Sequence, residues 1–301
     1  MEAFFGDKCY LFLYCDFVGC FCIMKTYAVY NEKGGAGKTT TALSMLSYFK
    51  SPESFIKGVE KKAVAVDMDP QRTLTFLANV KAEKTVYDVL TDEADINAAV
   101  VNTDFGCIIP GSSELAWLDP QMAVEGAENA AQLKEFKENL SILRNKLQGL
   151  KDFDYVILDC PPGYAHIALA CMVAADELVV PAKASKASLF ALSAISSKLE
   201  LAKQYNKGLT VAGVLLTQHS DRTNAGRYGK DAAVALAENN FNAKVFSSTI
   251  RTSTAIEDCY FAGIPLFSLP SGTPVRADYL DFMEELLKGE KSNGIKEKGL
   301  C

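Results

Sequence analysis

Short apolar runs alternate along this chain with segments whose apolar residues recur every three or four positions. The runs fit buried strands, and the helical spacing fits helices with one face against a core. Strands are predicted at 27–30, 63–66, 105–109, 155–158, 177–181 and 211–217, and helices at 41–49, 129–147, 187–205 and 277–288, with a further helix from Arg72. This alternation predicts an α/β fold with a mostly parallel β-sheet and helices on both faces.

No linker rich in proline or serine and no internal repeat divides this pattern. We therefore expect one domain over 24–288 and a polar tail over 289–301. Residues 1–23 differ from the rest, because they are rich in Phe, Leu and Cys but are interrupted by Asp16 and begin with acidic residues. Their apolar part is too short to span a bilayer. We interpret 1–23 as an N-terminal extension outside the core; a disordered or membrane-touching tail and a metal-binding segment are the alternatives.

The composition is that of an ordinary globular protein, with 49% apolar and 23% charged residues among 301. The net charge of −6 gives no overall positive field for nucleic acid or anionic membrane, so any such contact needs a local patch. The nine cysteines show no paired spacing and fit reduced thiols in the cytoplasm.

A glycine-rich stretch, KGGAGKTT, separates the first predicted strand from the first helix. In this setting, glycines let backbone N–H groups approach phosphate oxygens, and the start of the helix favours an anion. Lys38 would reach the β- and γ-phosphates of a nucleotide, and the Thr39 hydroxyl would bind Mg²⁺. The expected nucleotide-binding residues of this loop are Lys33, Gly34, Gly35, Ala36, Gly37, Lys38, Thr39 and Thr40.

Aspartates follow two of the predicted strands. Asp67 and Asp69 come at the end of the strand at 63–66, and Asp159 ends the strand at 155–158. Ligands of open α/β sheets bind at the carboxyl ends of the strands. An apolar strand that ends in aspartate is the Walker B arrangement, which places Asp159 near Mg²⁺. Asp69 could instead only cap the following helix.

Three segments together resemble the ParA/MinD group of P-loop ATPases with a deviant Walker A motif. The loop lacks the first glycine of the strict motif, where Glu32 stands, and carries a second lysine, Lys33. The segments DMDPQ at 67–71 and DCPP at 159–162 are similar to the two switch regions of that group, although Gly163 replaces the usual serine. The resemblance covers essentially all of 24–288.

The resemblance implies a Mg²⁺-dependent ATPase that forms a homodimer on binding ATP. Lys33 would reach across the dimer to the partner's nucleotide, Asp69 would orient the attacking water, and Asp67 would support Mg²⁺ and its water ligands. The expected catalytic residues are thus Lys33, Lys38 and Asp69, and the expected metal-site residues are Thr39, Asp67 and Asp159. Thr217 and Pro270 are candidates on the adenine side, although a plain turn explains Pro270 equally well.

The segment LLTQHSDRTNAG at 215–226 resembles the ParA branch. That branch implies a DNA segregation (partition) ATPase that is associated with the nucleoid, binds DNA without sequence preference and hydrolyses ATP when a ParB-like partner stimulates it. The candidate DNA contacts are Arg222, Arg227, Lys230 and Arg251. The alternative is that these are solvated surface side chains. The sequence leaves open the cargo, which could be a plasmid, a chromosome or a mobile element.

A MinD-like, membrane-associated positioning ATPase is the alternative function. It would need a basic amphipathic helix at the C-terminus. We expect the helix at 277–288 instead to expose Asp278, Asp281, Glu284 and Glu285, which an anionic membrane would repel. Membrane association is therefore the less favoured alternative.

Overall fold

The computed structural model describes residues 24–55, 60–122, 130–220 and 222–297. The expectation for the extension at 1–23 lies outside these residues. The last helix continues through most of the expected polar tail, to Glu297.

Eight strands form one sheet in the order β3-β4-β2-β5-β1-β6-β7-β8. All neighbouring strands are parallel except β3 and β4, which form an antiparallel pair at one edge. The strands are β1 (Lys25–Val29), β2 (Ala63–Asp67), β3 (Val101–Thr103), β4 (Gly106–Ile109), β5 (Tyr155–Asp159), β6 (Glu177–Lys183), β7 (Thr210–His219) and β8 (Val245–Arg251). The predicted fold class, a mostly parallel sheet within an α/β domain, is confirmed.

Helices connect the strands, as expected for parallel neighbours. They are α1 (Lys38–Lys50), α2 (Thr73–Leu77), α3 (Val86–Leu90), α4 (Leu115–Met122), α5 (Ala130–Leu147), α6 (Ala165–Ala174), α7 (Lys186–Tyr205), α8 (Asn224–Phe241), α9 (Ala255–Ala262) and α10 (Pro274–Glu297). Short 3₁₀ turns lie at Pro52–Phe55, Ile96–Ala99 and Leu266–Ser268. None of the described helices combines the length and the apolarity that a membrane span requires.

The two faces of the sheet carry separate apolar clusters. Ala28 and Tyr30 point into one cluster with α5, α6 and α7, whereas Tyr27 and Val29 point into the other with α1 and α10. Successive side chains of a strand point to opposite faces, so a strand covered on both sides is apolar at every position. The continuous apolar run before the glycine-rich loop therefore marks a central strand, and β1 lies between β5 and β6.

The sequence interpretation of the last helix needs correction. Asp278 is buried, and its carboxylate pairs with Arg251 at the end of β8, with Nε and Nη2 of the arginine 2.7 Å from its two oxygens. Glu285 also turns towards β8, where it accepts hydrogen bonds from the backbone N–H groups of Ser247 and Ser248. Of the four acidic residues predicted to be exposed, Asp278 and Glu285 instead serve the sheet edge.

Candidate functional site

Three sequence motifs meet at the carboxyl edge of the sheet. Asp159 is in register with Val29 of β1 on one side and with Asp67 of β2 on the other. The glycine-rich loop leaves β1 at the same level, because Val29 is the last residue of that strand. The strand order thus brings Asp159 together with groups that lie more than 90 positions earlier in the chain.

The glycine-rich loop ends at a helix start whose N–H groups are not capped by a side chain. Gly37 occupies the N-cap position of α1 with a φ of 94°, and no side chain accepts a hydrogen bond there. A side chain at Gly37 would be strained at this φ, and its Cβ would lie 3.3 Å from the Thr217 methyl group. The first turn of α1 contains no acidic residue. Open N–H donors and the positive end of the helix dipole suit a phosphate.

Lys38 follows the loop as the first residue of α1. Its side chain is largely buried, and its Nζ lies 3.4 Å from the carbonyl oxygen of Lys33. Burial lowers the pKa of Lys38, whereas the negative charges of Asp159 and Asp69 oppose that shift. A buried ammonium group close to two carboxylates is placed to meet the phosphates of a nucleotide.

Asp159 stands out at this site because its buried carboxylate lacks regular hydrogen bonds from the described residues. Its carboxyl is fully buried, and neither oxygen has a hydrogen-bond partner of regular geometry in the described part of the chain. Burial and then the charge of Asp67 raise the pKa of Asp159 well above its usual range, although the nearby Thr39 hydroxyl and Lys38 oppose this. A buried carboxylate of this kind is costly unless a cation binds to it.

Asp67, by contrast, has fixed protein partners. One carboxylate oxygen accepts hydrogen bonds from the Thr75 backbone N–H at 2.8 Å and the Thr75 hydroxyl at 2.6 Å. The other oxygen accepts from the Asp69 N–H at 3.2 Å. The Thr75 hydroxyl also accepts from the Gly111 N–H, and a Cβ at Gly111 would lie 2.9 Å from the Asp67 carboxyl carbon. Burial raises the pKa of Asp67 to about 6, although the hydrogen bonds from Thr75 and Asp69 act to lower it.

Asp69 lies between the buried pair and the surface. It is 7% exposed, and one of its oxygens accepts a hydrogen bond from the Gln71 N–H at 2.9 Å. Burial raises the pKa of Asp69, while that hydrogen bond and the charge of Lys38 counter the shift. Within the described ranges no basic side chain forms a salt bridge with this carboxylate, although Lys38 is within electrostatic reach of it.

Lys33 is tied to the helix that follows β6. Its Nζ donates to the hydroxyl of Ser188 on α7 at 3.2 Å, and its backbone N–H donates to the Asn31 side chain at 2.9 Å. Asn31 in turn donates to the carbonyl of Pro181 on β6. The sequence interpretation singled out Lys33 but did not foresee Ser188 or Asn31, because the contacts from Lys33 to Ser188 and from Asn31 to Pro181 join residues about 150 positions apart.

A cleft of about 320 Å³ opens beside the loop. It is lined by Gly37 and Thr40, by the ends of β7 and β8, and by the segment Thr252–Thr254. Thr217 lies in its wall and donates its hydroxyl proton to the Ala36 carbonyl at 2.8 Å. Pro270 is exposed and does not belong to the described lining of this cleft. The structure thus brings Thr217, but not Pro270, to the cleft.

The four candidate DNA contacts differ in their surroundings. Arg222 and Arg227 are exposed at the start of α8, and Lys230 is half-buried one turn further along. The Arg227 guanidinium also bonds the Asn224 side chain. Arg251 lies at the same end of the sheet, in register with His219, but Asp278 already neutralises it. Three of the four cations therefore share the start of one helix, while Arg251 faces the cleft.

The donor groups fit Mg²⁺ only together with a phosphate. Within the described ranges, no group of three or more His, Cys, Asp or Glu side chains would hold a metal ion alone. Mg²⁺ is usually held by one or two carboxylates together with water and substrate phosphates. The unpaired Asp159 carboxylate beside the Thr39 hydroxyl supplies the protein part of such a site.

Comparison with known proteins gives a consistent result. Residues 24–211 match a family model described as an AAA domain. The sporulation initiation inhibitor protein Soj of Bacillus subtilis is 27% identical over 274 residues, which cover 87% of this chain and 98% of Soj. The chromosome partitioning protein ParA of Myxococcus xanthus is 27% identical over 265 residues, which cover 86% of each chain.

One similar solved structure contains a bound nucleotide and magnesium. Cobyrinic acid a,c-diamide synthase of Mycobacterium smegmatis, with bound ADP and magnesium, matches with a TM-score of 0.69 and 25% identity. The match covers 90% of this chain and 97% of the synthase. The family model covers well over half of the chain, and the fold and the motifs agree with it. The chain therefore belongs to the ParA family of P-loop ATPases.

Proposed function

We propose that this protein is a Mg²⁺-dependent DNA segregation ATPase. It binds ATP at the glycine-rich loop, closes as an ATP-sandwich homodimer, holds DNA without sequence preference and hydrolyses ATP when a ParB-like partner stimulates it. The observation that carries the proposal is the carboxyl edge of the sheet, where Lys38 at the end of the glycine-rich loop is within electrostatic reach of Asp159, a buried carboxylate without a regular hydrogen-bond partner in the described part of the chain. The partition proteins among its relatives support the same function.

The chain's own groups divide the work on the nucleotide. The first N–H groups of α1 and the ammonium of Lys38 would hold the phosphates, and Thr39 with Asp159 would hold Mg²⁺. When bound there, Mg²⁺ would neutralise part of the negative charge of the phosphates. Asp67, fixed by Thr75, would orient the ion's water ligands. Asp69 would orient the attacking water, since it is more exposed than Asp67 and Asp159 and lies within electrostatic reach of Lys38.

The cleft beside the loop offers space for the nucleoside. Its volume of about 320 Å³ is within the range of small-molecule sites. Thr217 and the polar segment Thr252–Thr254 line it, which supports Thr217 as a contact of the adenine side.

Lys33 would act on the nucleotide of the partner subunit. In the single chain its ammonium group meets only a neutral hydroxyl, that of Ser188, among the contacts described. Exchange of this hydroxyl for phosphate oxygens in a dimer would strengthen the hydrogen bond, because both partners would then be charged. A cation supplied in trans would also stabilise the charge that develops during phosphoryl transfer.

Gel filtration with light scattering and a fluorescent ATP analogue tests this assignment. With MgATP, we expect wild type to bind nucleotide and elute as a dimer. Lys38→Ala should lose nucleotide binding, because the loop loses the ammonium that would meet the β- and γ-phosphates. Lys33→Gln should bind nucleotide within about threefold of wild type yet remain a monomer, because only its contact in trans is lost.

Lys207→Ala, at an exposed site after α7, controls for the loss of one surface charge. Normal nucleotide binding by Lys38→Ala would disprove the phosphate-loop assignment. A normal ATP-dependent dimer of Lys33→Gln would disprove the role of Lys33 across the dimer.

A further inference from the structure

A carboxylate stands directly beside the phosphate-binding loop. Glu32 occupies the position at which a strict P-loop has glycine, next to Lys33. The charges of Glu32 and Lys38 influence each other's pKa, so the carboxylate is within electrostatic reach of the lysine that would bind phosphate. An uncompensated negative charge here would repel the phosphates of ATP.

Two side chains hold this carboxylate. Lys198 of α7 places its Nζ 2.9 Å and 2.8 Å from the two oxygens of Glu32. The Tyr30 hydroxyl at the end of β1 donates to one of the same oxygens, and Lys198 also lies 3.0 Å from that hydroxyl. These three residues form a closed hydrogen-bonded cluster, which we call the Glu32 cluster.

The protonation states in the cluster are well defined. Burial alone would raise the pKa of Glu32, but hydrogen bonds from Lys198 and Tyr30 and the charges of Lys198 and Lys38 leave it below its usual value. Burial and then the contact with Glu32 raise the pKa of Tyr30, so that this hydroxyl stays protonated. The thiols of Cys160 and Cys171 act on Tyr30 in the same direction. At neutral pH Glu32 is thus a carboxylate and Tyr30 a neutral phenol.

Lys198 is well suited to hold Glu32 in one place. Tyr30 is fully buried, and the side chains of Glu32 and Lys198 keep only 33% and 23% of their exposure. Partial burial strengthens a charge pair relative to one in water. The helix that carries Lys198 also carries Ser188, the partner of Lys33, so α7 contacts two consecutive residues of the loop.

We propose that Lys198 is a positioning residue of the nucleotide site. It neutralises Glu32 and holds this carboxylate away from the phosphates, so that Lys33 and Lys38 remain available to bind ATP. This inference rests on the proposed function, because it requires ATP at the loop. Without Lys198, the carboxylate would be free to pair with one of the loop lysines or to face the phosphates.

The test measures the Kd of MgATP for a matched set of variants. Lys198→Met keeps the length and the apolar stem of the side chain but removes its charge, and we expect roughly tenfold weaker binding. Glu32→Gln in the Lys198→Met background should restore binding to within about threefold of wild type, because the charge that caused the loss is gone. Lys203→Met, an exposed lysine on the same helix, should bind like wild type.

The pH dependence separates electrostatics from packing. In Lys198→Met, Glu32 loses the strongest contact that lowers its pKa, so acidification from pH 8 towards pH 5, close to the usual range of a glutamate, should begin to protonate it and reduce the defect. The double variant lacks the carboxylate and therefore gives the reference for the titration of ATP itself. The ratio of the two Kd values should fall towards one as the pH falls.

Several outcomes would overturn the proposal. Unchanged ATP binding by Lys198→Met would show that Glu32 needs no compensation. A loss that Glu32→Gln does not restore, or that does not depend on pH, would show that Lys198 serves packing alone. Failure of the proposed function differs from these results, because wild type itself would then bind no MgATP or Lys38→Ala would bind it equally well.

Discussion

At the scale of single residues, Asp159 connects stability with function. The carboxyl at the end of β5 is fully buried, and its pKa is raised well above the usual range by burial and by Asp67. A folded-state pKa above the unfolded value means that the folded protein binds more protons, so stability falls as the pH rises through that range. The groups expected to bind Mg²⁺ thus reduce the stability of the protein without the ion.

This predicts a pH-dependent effect of Asp159→Asn. The variant lacks the buried charge, so its free energy of unfolding relative to wild type should increase between pH 5.5 and pH 8, by about 1 kcal/mol or more. Urea unfolding without nucleotide or Mg²⁺, at several pH values, measures this difference. Asp104→Asn, at an exposed turn between β3 and β4, is the control for the loss of one carboxylate at the surface. A flat difference for Asp159→Asn would contradict the raised pKa.

At the scale of elements, α10 completes the edge of the sheet. Strand β8 is the last strand of the sheet, and an edge strand presents unpaired N–H groups. Glu285 accepts hydrogen bonds from the Ser247 and Ser248 N–H groups at 3.0 Å, and Asp278 accepts from the Arg251 N–H at 3.0 Å. Two carboxylates of α10 thereby supply hydrogen-bond acceptors that a neighbouring strand would otherwise provide to β8.

Loss of one of these carboxylates should destabilise the fold. Glu285→Ala would leave two backbone N–H groups of β8 without their acceptor, which should cost about 1–3 kcal/mol of unfolding free energy. Glu284→Ala, on the neighbouring position of α10, removes a surface pair with Lys288 and should cost less than about 0.5 kcal/mol. Urea unfolding of both variants gives the comparison. Equal stability of the two variants would show that the hydrogen bonds between Glu285 and β8 contribute nothing to the free energy of unfolding.

The sequence predicts central elements well and edge elements poorly. Strands such as β1 and β5 are buried on both faces, so their apolar runs are unambiguous. Strand β8 carries Ser247, Ser248 and Thr249, which show no clear alternation, and we did not predict it. The predicted strand at 105–109 is in the structure the second half of a hairpin, because Gly106, at a φ of 130°, follows a turn.

The same contrast holds at the candidate site. Local motifs predicted the loop and the positions of Asp67 and Asp159, because each follows directly from a strand end. Thr75, Ser188 and Lys198 were not predicted. They reach the site from helices through contacts that depend on the packing of α2 and α7, and no local spacing encodes these.

At the scale of the whole molecule, charge is the central question. The chain has a net charge of −6, yet Arg222, Arg227 and Lys230 gather at the start of α8. A monomer with one such patch should bind DNA poorly, whereas a dimer doubles the number of phosphates that it neutralises. Because ATP is proposed to drive dimerisation, DNA affinity should depend on the nucleotide.

The measurement that tests this account most directly is filter binding of wild type to two unrelated DNA duplexes at several salt concentrations. We expect binding with MgATP, little with MgADP, and equal affinity for both sequences. Arg222→Ala should weaken both alike and lower the slope of log affinity against log salt by roughly 2, for about two phosphate contacts per dimer at roughly 0.9 each. Lys207→Ala should leave the slope unchanged. Absence of DNA binding by wild type with every nucleotide would contradict the proposed partition function.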